Sequence, residues 1–471
     1  MALIKGLGFL APTPRLAATL VNWRDGAPDA FHGANRMPPP VAGRPPGTRA
    51  PIDAVADYAV RLHATLGAEH AATSPLGAYL LLAAVGPAAS GARRTELERT
   101  LGCPVDEAAR FLFELLASPH PAIVAALAIW NTSVIASEAF ERWRLALPPG
   151  LGTGAIPSQH EANAWAGRAT QGMIARFPLE IGPHSVLVLS SALASRGPWQ
   201  HPLDVVPAEL LGSSPWAREL KHALIDFAPD GQAIFWTRSA GLVGVSLART
   251  TEALLVVSLI AEPGVAPHTA IAAAHEVAAL VSGRASTAAY RSLFDLLLGA
   301  GHAWELVETQ VDASLWGKRH ESAKILIPAW RAESPAIDLM RDPGLGFAAA
   351  ADTLFDHLPP IPEGYAAQAA QVTSAKFHRS GFSAAAVTAL EISEAATGES
   401  RRPGPKTPSR HATVRFSRPF AVVAVAESPA GMRRDHGPQT GPPSGTHAWH
   451  GVPVFTAWVT RPSEPDEVER G

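Results

Sequence analysis

Helical and strand periodicities do not alternate along this chain: helices crowd its first half and strands its second. Val55, Tyr58, Ala59, Leu62 and Leu66 recur at helical spacing, giving a one-faced helix from Pro51 that stops at Gly67. A second apolar helix runs from Pro75 to Val85, with Ser74 as its N-cap and Pro75 in the first helical position. Residues 92–101, 106–117 and 160–176 read as further helices, and 123–135 as a short strand. Residues 185–194 form a continuous apolar run suited to a strand buried on both faces. Later, 243–247, 254–261, 304–311 and 324–330 read as strands, 284–299 as a helix, and 415–426 with 452–460 as a hairpin. With no βαβ rhythm and no internal repeat, the expected class is α+β in one large domain.

Composition narrows the functional classes. Hydrophobic residues make up 47% of 471, enough for an extensive core. No run of 18 apolar residues exists, so no membrane-spanning helix is expected. Lys+Arg at 39 against Asp+Glu at 42 lacks the charge signature of a nucleic-acid binder. A single cysteine, Cys103, excludes an intrachain disulfide and any site needing several thiolates. Pro28, Pro38, Pro39, Pro40, Pro45 and Pro46 mark residues 1–50 as a tail, with the fold over 51–463 and a second tail at 464–471. The apolar stretch near the N-terminus is short and interrupted by glycine, unlike a usual secretory core, and the compartment stays open.

Residues 381–394 carry the most information. Phe382, Ala384, Ala386, Thr388, Leu390 and Ile392 alternate with Ser383, Ala385, Val387, Ala389, Glu391 and Ser393, as in a strand with one buried side. The alanines fit a short helix equally well. Residues 395–412 are polar, basic and rich in Pro and Gly, hence read as exposed; Arg401, Arg402, Lys406 and Arg410 make a solvated basic stretch. Residues 427–451 hold nine Gly or Pro and read as an exposed loop. Within it, His436, His447 and His450 lack the further ligands a metal site needs and read as surface histidines. Gly244-Val245-Ser246-Leu247-Ala248 faintly resembles a nucleophile elbow, but Ser246 falls inside a strand-like run with no helix after it. No metal, no cofactor and no enzyme activity are expected.

The landmarks taken in order resemble the serpins, over residues 53–462. Ser74-Pro75-Leu76 resembles the element opening that family's second helix, and Gly91 with Glu96 and Leu97 resembles its next helix start. Asn163, Trp165, Thr170, Gly172 and Ile174 follow the helix F signature. Gly197, Trp199, Pro202 and Leu203 resemble the element after the central strand of sheet A. Ile325 to Trp330, Phe416 to Phe420, and Phe455, Val459 and Pro462 follow the three late motifs. Gly381, Ala384, Ala385, Ala386 and Thr388 match the hinge.

The resemblance implies a single domain with three β-sheets, about nine helices and a reactive loop at about 381–415, held in a metastable state. A serine protease would cut the loop, which would then enter sheet A as a new strand. Hinge spacing places the reactive bond at Ala395–Ala396, suited to an elastase- or subtilisin-like protease in a 1:1 complex with a monomer; Arg401 and Arg402 are the alternative. Ser74, Ser191, Gln371 and Trp199 fall at the positions controlling sheet opening. Phe382 stands where inhibitory members carry Thr or Ser, and forcing its ring between strands implies an overpacking cost of about 1–3 kcal/mol. Ser191, Gln371 and Gly77 also depart from the usual residues. The alternative reading is a serpin-fold binding protein without inhibitory activity.

Overall fold

The computed structural model describes residues 49–471, apart from 132–136, 150, 171, 173–175, 178, 183, 196, 229, 313–318, 335–336, 359–365, 372, 383–405, 430–446, 466–467 and 469–471. Nine α-helices lie among the described residues: α1 (Pro51–Ala64), α2 (Pro75–Val85), α3 (Gly91–Leu101), α4 (Val105–Ala117), α5 (Glu138–Leu145), α6 (Gln159–Ala169), α7 (Pro215–Glu219), α8 (Pro267–Val281) and α9 (Phe347–Phe355). In α2 every residue from Pro75 to Val85 is buried. A helix apolar on all sides belongs inside a core, and α2 occupies that place among α1, α3, α4 and the sheets.

A seven-stranded sheet runs in the order β1 (Ala71–Thr73), β22 (Pro453–Val459), β21 (Phe420–Ala426), β10 (Leu254–Ile260), β9 (Gly241–Arg249), β8 (Ile234–Thr237), β11 (Ala289–Tyr290). β21 and β22 form the expected antiparallel hairpin. α8 covers β10 and β21 with Ala270, Ile271, Ala274 and Val277. A six-stranded sheet follows the order β12 (Gly299–Ala300), β13 (Trp304–Asp312), β20 (Lys406–Arg415), β14 (His320–Ile327), β7 (His222–Ala228), β6 (Asp204–Pro207).

Two further sheets are sections of one. The five-stranded section runs β16 (Ile337–Asp338), β17 (Ala366–Gln371), β4 (Ser185–Ser195), β2 (Ile123–Asn131), β3 (Gly152–Ala155). The four-stranded section runs β15 (Trp330–Glu333), β18 (Ser374–His378), β19 (Gly381–Phe382), β5 (Gly197–Pro198). The chain passes almost directly from β4 into β5 and from β17 into β18. All of β4 is buried, Ser185, Ser190, Ser191 and Ser195 included, as a strand covered on both faces requires. One face meets the main core; the other, through Val188, meets α6.

Several expectations are corrected. Residues 284–299 are not a helix: they contribute β11, a single 3-10 turn and β12. Glu321 claims the polar groups there, accepting from Tyr290 Oη at 2.6 Å and Leu293 N at 2.9 Å, and Leu297 is left 92% exposed. The run 324–330 is split at Pro328, which has no N–H for a ladder, so β14 and β15 fall in different sheets. Residues 406–412 are not exposed loop: β20 lies inside its sheet, with Ser409 at 0% exposure. The helix expected over 160–176 stops at Ala169, where Thr170 Oγ1 donates back to Ala166 O at 2.8 Å. The end of 427–451 is also not exposed, since Trp449 is 2% exposed. Val468, placed in the C-terminal tail by sequence, packs into the main core.

Candidate functional site

The split sheet defines the site. Along its lower course β4 and β17 pair directly and in parallel, Leu187 with Ala367, Val188 with Gln368 and Leu189 with Ala369. Further on, β18 and β5 no longer touch: β19 lies between them, antiparallel to both. The chain leaves β18 at His378, turns over Arg379 and Ser380, and re-enters as Gly381 and Phe382. Trp199 fixes this turn twice, donating from its backbone N to Ser380 O at 3.0 Å and from Nε1 to His378 O at 2.8 Å. Leu203 N adds a bond to Arg379 O at 2.9 Å.

Glycine is required where the strands meet. A Cβ on Gly381 would stand 2.6 Å from Gly197 O, and one on Gly197 would stand 2.6 Å from Thr250 Cβ. Phe382 then turns into the core at 2% exposure. Its ring lies 6.4 Å from those of Trp199, Trp330 and Phe455, at 45°, 69° and 55°. The ring expected from sequence to be hard to place between strands lies here among other aromatic side chains.

Below this opening, Gln371 ties β17 to the start of α2. Its Oε1 accepts from Ser74 N at 2.8 Å and its Nε2 donates to Ser74 O at 2.7 Å. Ser74 does not cap α2 with its hydroxyl; Oγ donates to Val454 O at 3.1 Å. Ser191 stands on β4 against α2, where a Cβ on Gly77 would be 2.6 Å from its Oγ. Glycine at 77 therefore makes room for Ser191. The structure brings Gly381, Phe382 and Trp199 together at the opening and Ser74 and Gln371 together beneath it. Ala384, Ala385, Ala386, Thr388, Ala395, Ala396, Arg401 and Arg402 lie outside the described residues, as does His436. The aromatic cage of Trp330, Phe377 and Phe455 was missed, although Trp330 and Phe455 lie in segments read as strands.

The other sequence candidates resolve simply. Ser246 is mid-strand in β9, 1% exposed, donating to Asp226 at 3.4 Å, so the strand–turn–helix geometry of an elbow is not formed there. Burial pushes the Asp226 carboxyl up, opposed by bonds from Phe227 N and Ser246. Cys103 is buried, its Sγ 3.2 Å from Tyr79 Oη. Trp165, on α6, packs against Trp130 and Phe177. A cavity of about 540 Å³ opens between α1 and α8, its wall including Asp53, Arg238, His275, Glu276 and Arg284.

No protein-family model matches the sequence, and no curated protein does. The three-dimensional structure does have counterparts. A thermophilic serpin, tengpin, in its native state superposes with a TM-score of 0.56 at 15% identity, covering 87% of this chain and 94% of that one. Human thyroxine-binding globulin complexed with its hormone gives 0.55 at 12% identity, covering 88% and 98%. Serpin48 of the insect Tenebrio molitor gives 0.52 at 13%, covering 88% and 98%. The class is thus α+β, with a sheet entered by the segment that follows its own neighbouring strand. The chain is built on the serpin fold.

Proposed function

We propose that the protein inhibits serine-type endopeptidases by completing its own split sheet after the chain is cut near Ala395–Ala396. The observation that carries this is register. Counting on from Phe382, which faces Phe377 on one side and Gly197 on the other, brings residue 390 opposite both Ala369 and Leu189. Those two residues are partners in the closed section. A strand continuing β19 would therefore part β4 from β17 in register as far as residue 392, opposite Ala367 and Leu187, where the bulge at Ala366 begins. Leu390 would then face the core on the side of Leu189, and burying Leu390 and Ile392 would contribute roughly 1.5–3 kcal/mol each.

In this reading the protease hydroxyl attacks the Ala395 carbonyl, an ester forms, and the Ala396 amine leaves. The freed strand then enters the sheet and carries the esterified protease with it. The small side chain of Ala395 suits elastase- or subtilisin-like pockets, and the complex is 1:1. The test is a complex with either protease that survives denaturing gel electrophoresis, with mass spectrometry locating the cut. Ala384→Glu, which would place a charge inside the sheet, is expected to abolish the complex and leave the uncut melting temperature unchanged. Clean hydrolysis, with no rise in melting temperature after cleavage, would overturn the reading.

The cavity between α1 and α8 favours a second reading, a serpin-fold carrier of a small ligand. Thyroxine-binding globulin, named for what it binds, shares the fold. A melting-temperature shift with thyroxine or a related aromatic carboxylate, lost in Ala278→Phe, would support it.

A further inference from the structure

The histidines near the root of segment 427–451 form a cluster that neither proposed function uses. His120 is 3% exposed. Its Nδ1 accepts from Ala122 N at 3.2 Å, so the ring proton sits on Nε2, which donates to Glu427 O at 2.9 Å. His450 repeats the arrangement: Nδ1 accepts from Ser428 N at 3.1 Å, and Nε2 donates to Ser282 O at 2.9 Å. His447 pairs through Nε2 with Ser118 Oγ at 3.0 Å, and its Nδ1 accepts from Trp449 N at 3.4 Å. His120 and His447 stand beside one anchor, and His450 follows it in the chain. Trp449 donates from Nε1 to Ser118 O at 2.7 Å and Leu115 O at 3.2 Å, and its ring lies 5.9 Å from that of His120, which is 6.1 Å from His447.

Each Nδ1 lone pair holds a backbone N–H, and a proton there removes the acceptor. The bond cannot reverse, because an imidazolium has only donors. We propose that this cluster is an acid-released clasp, in which protonation of His120 and His447 frees Trp449 and the residues flanking it on both sides of the segment.

The charged groups around the clasp offer no compensation. Glu427 is engaged by Arg249 at 3.0 Å, and Arg284, which reaches Gly451 O, is paired with Asp53. Glu114, on the last turn of α4, is exposed. Burial first, then the adjacent His447, hold His120 below the ordinary 6.5, and burial does the same for His447. The clasp is therefore closed above that pH and loosens as pH falls through it. Each proton taken up on opening raises the open population by up to about tenfold per pH unit.

The experiment is hydrogen exchange of the full chain, followed by mass spectrometry and corrected for intrinsic chemistry, from pH 7.5 to 5.0. Peptides covering 447–453 and 118–122 are expected to lose protection at about tenfold or more per unit below pH 6.5, while β10 peptides do not. A flat response in those peptides overturns the proposal, as does one matched by β10. His447→Gln and His120→Asn keep a donor and an acceptor but do not titrate, and are expected to reduce the slope. An unchanged slope in the double variant, shown folded by its melt at pH 7.5, equally overturns it.

Discussion

Truncating Phe382 isolates the energy that keeps β19 in the sheet. Replacing a buried phenylalanine by alanine costs about 3–5 kcal/mol in a core that cannot collapse. Here the ring is 2% exposed and walled by Trp199, Trp330 and Phe455, three bulky groups fixed by their own strands. β19 is only two residues long, so the remaining ladder cannot absorb that loss. The penalty falls on docking of β19, not on the whole fold. Taking 3 kcal/mol, the undocked population rises by roughly 150-fold, at 1.4 kcal/mol per tenfold. Exchange of the Gly381 and Phe382 amides should speed up by that order in Phe382→Ala, and dilute protease should cut the chain just beyond β19 faster. The melting temperature should move little, because the strand pairing of the seven-stranded sheet, which contributes only Phe455 to the cage, is untouched. If exchange at Gly381 is unchanged, or protection is lost equally in β21 and β22, the aromatic cage is not what seats β19.

Three further outcomes follow from named contacts. Gly381→Ala would push a methyl to 2.6 Å from Gly197 O, and should undock β19 about as fully as Phe382→Ala in the same exchange assay. Gln371→Ala leaves the buried Ser74 N–H and C=O without the amide that serves both, and should lower stability by about 1–3 kcal/mol in denaturant titration. Burial holds His63 at about 4, and burial with Arg284 holds His275 at about 3. Both are depressed below 6.5, so the unfolded chain binds more protons. Stability is full above pH 6.5 and falls as pH drops, by about 3 and 5 kcal/mol once both windows are crossed. His63→Leu should flatten the upper part of that slope; a slope unchanged from pH 6.5 to 4 would refute the assignment.

How much of this was legible in the sequence depends on where the polar groups ended up. β4 was readable because 185–194 carries no polarity pattern to hide, and a strand buried on both faces must look that way. α2 was readable from Pro75 at its start. β20 was not: Lys406, Thr407, Ser409, Arg410 and His411 look like solvent-facing residues. They are reconciled with an interior strand by partners from distant segments, His320 with Ser409 at 2.8 Å and Glu308 with Arg410 at 2.9 Å. The error at 284–299 has the opposite origin, since Leu296, Leu297 and Leu298 imitate an apolar helix face while Leu297 and Leu298 stay exposed. At the site, Gly381 and Trp199 were identified by their place in the chain. The cage around Phe382 joins residues up to 256 positions apart in sequence, between Trp199 and Phe455, and no local pattern encodes it.

The interior placement of β20 has a kinetic meaning. It is paired with β13 from Lys406 to Arg415's neighbour Val414, and with β14 from Ser409 to Arg415, so both its edges are taken. Phe382 is moored on one side of residues 383–405 and Lys406 on the other. For an intact chain to lie down in the split sheet, β20 would have to be stripped from two neighbours at once. Severing one peptide bond removes that tether and leaves β20 where it is. Under the proposed function the arrangement would act as a ratchet, with covalent scission as the pawl and the two flanking strands of β20 resisting insertion of the uncut chain.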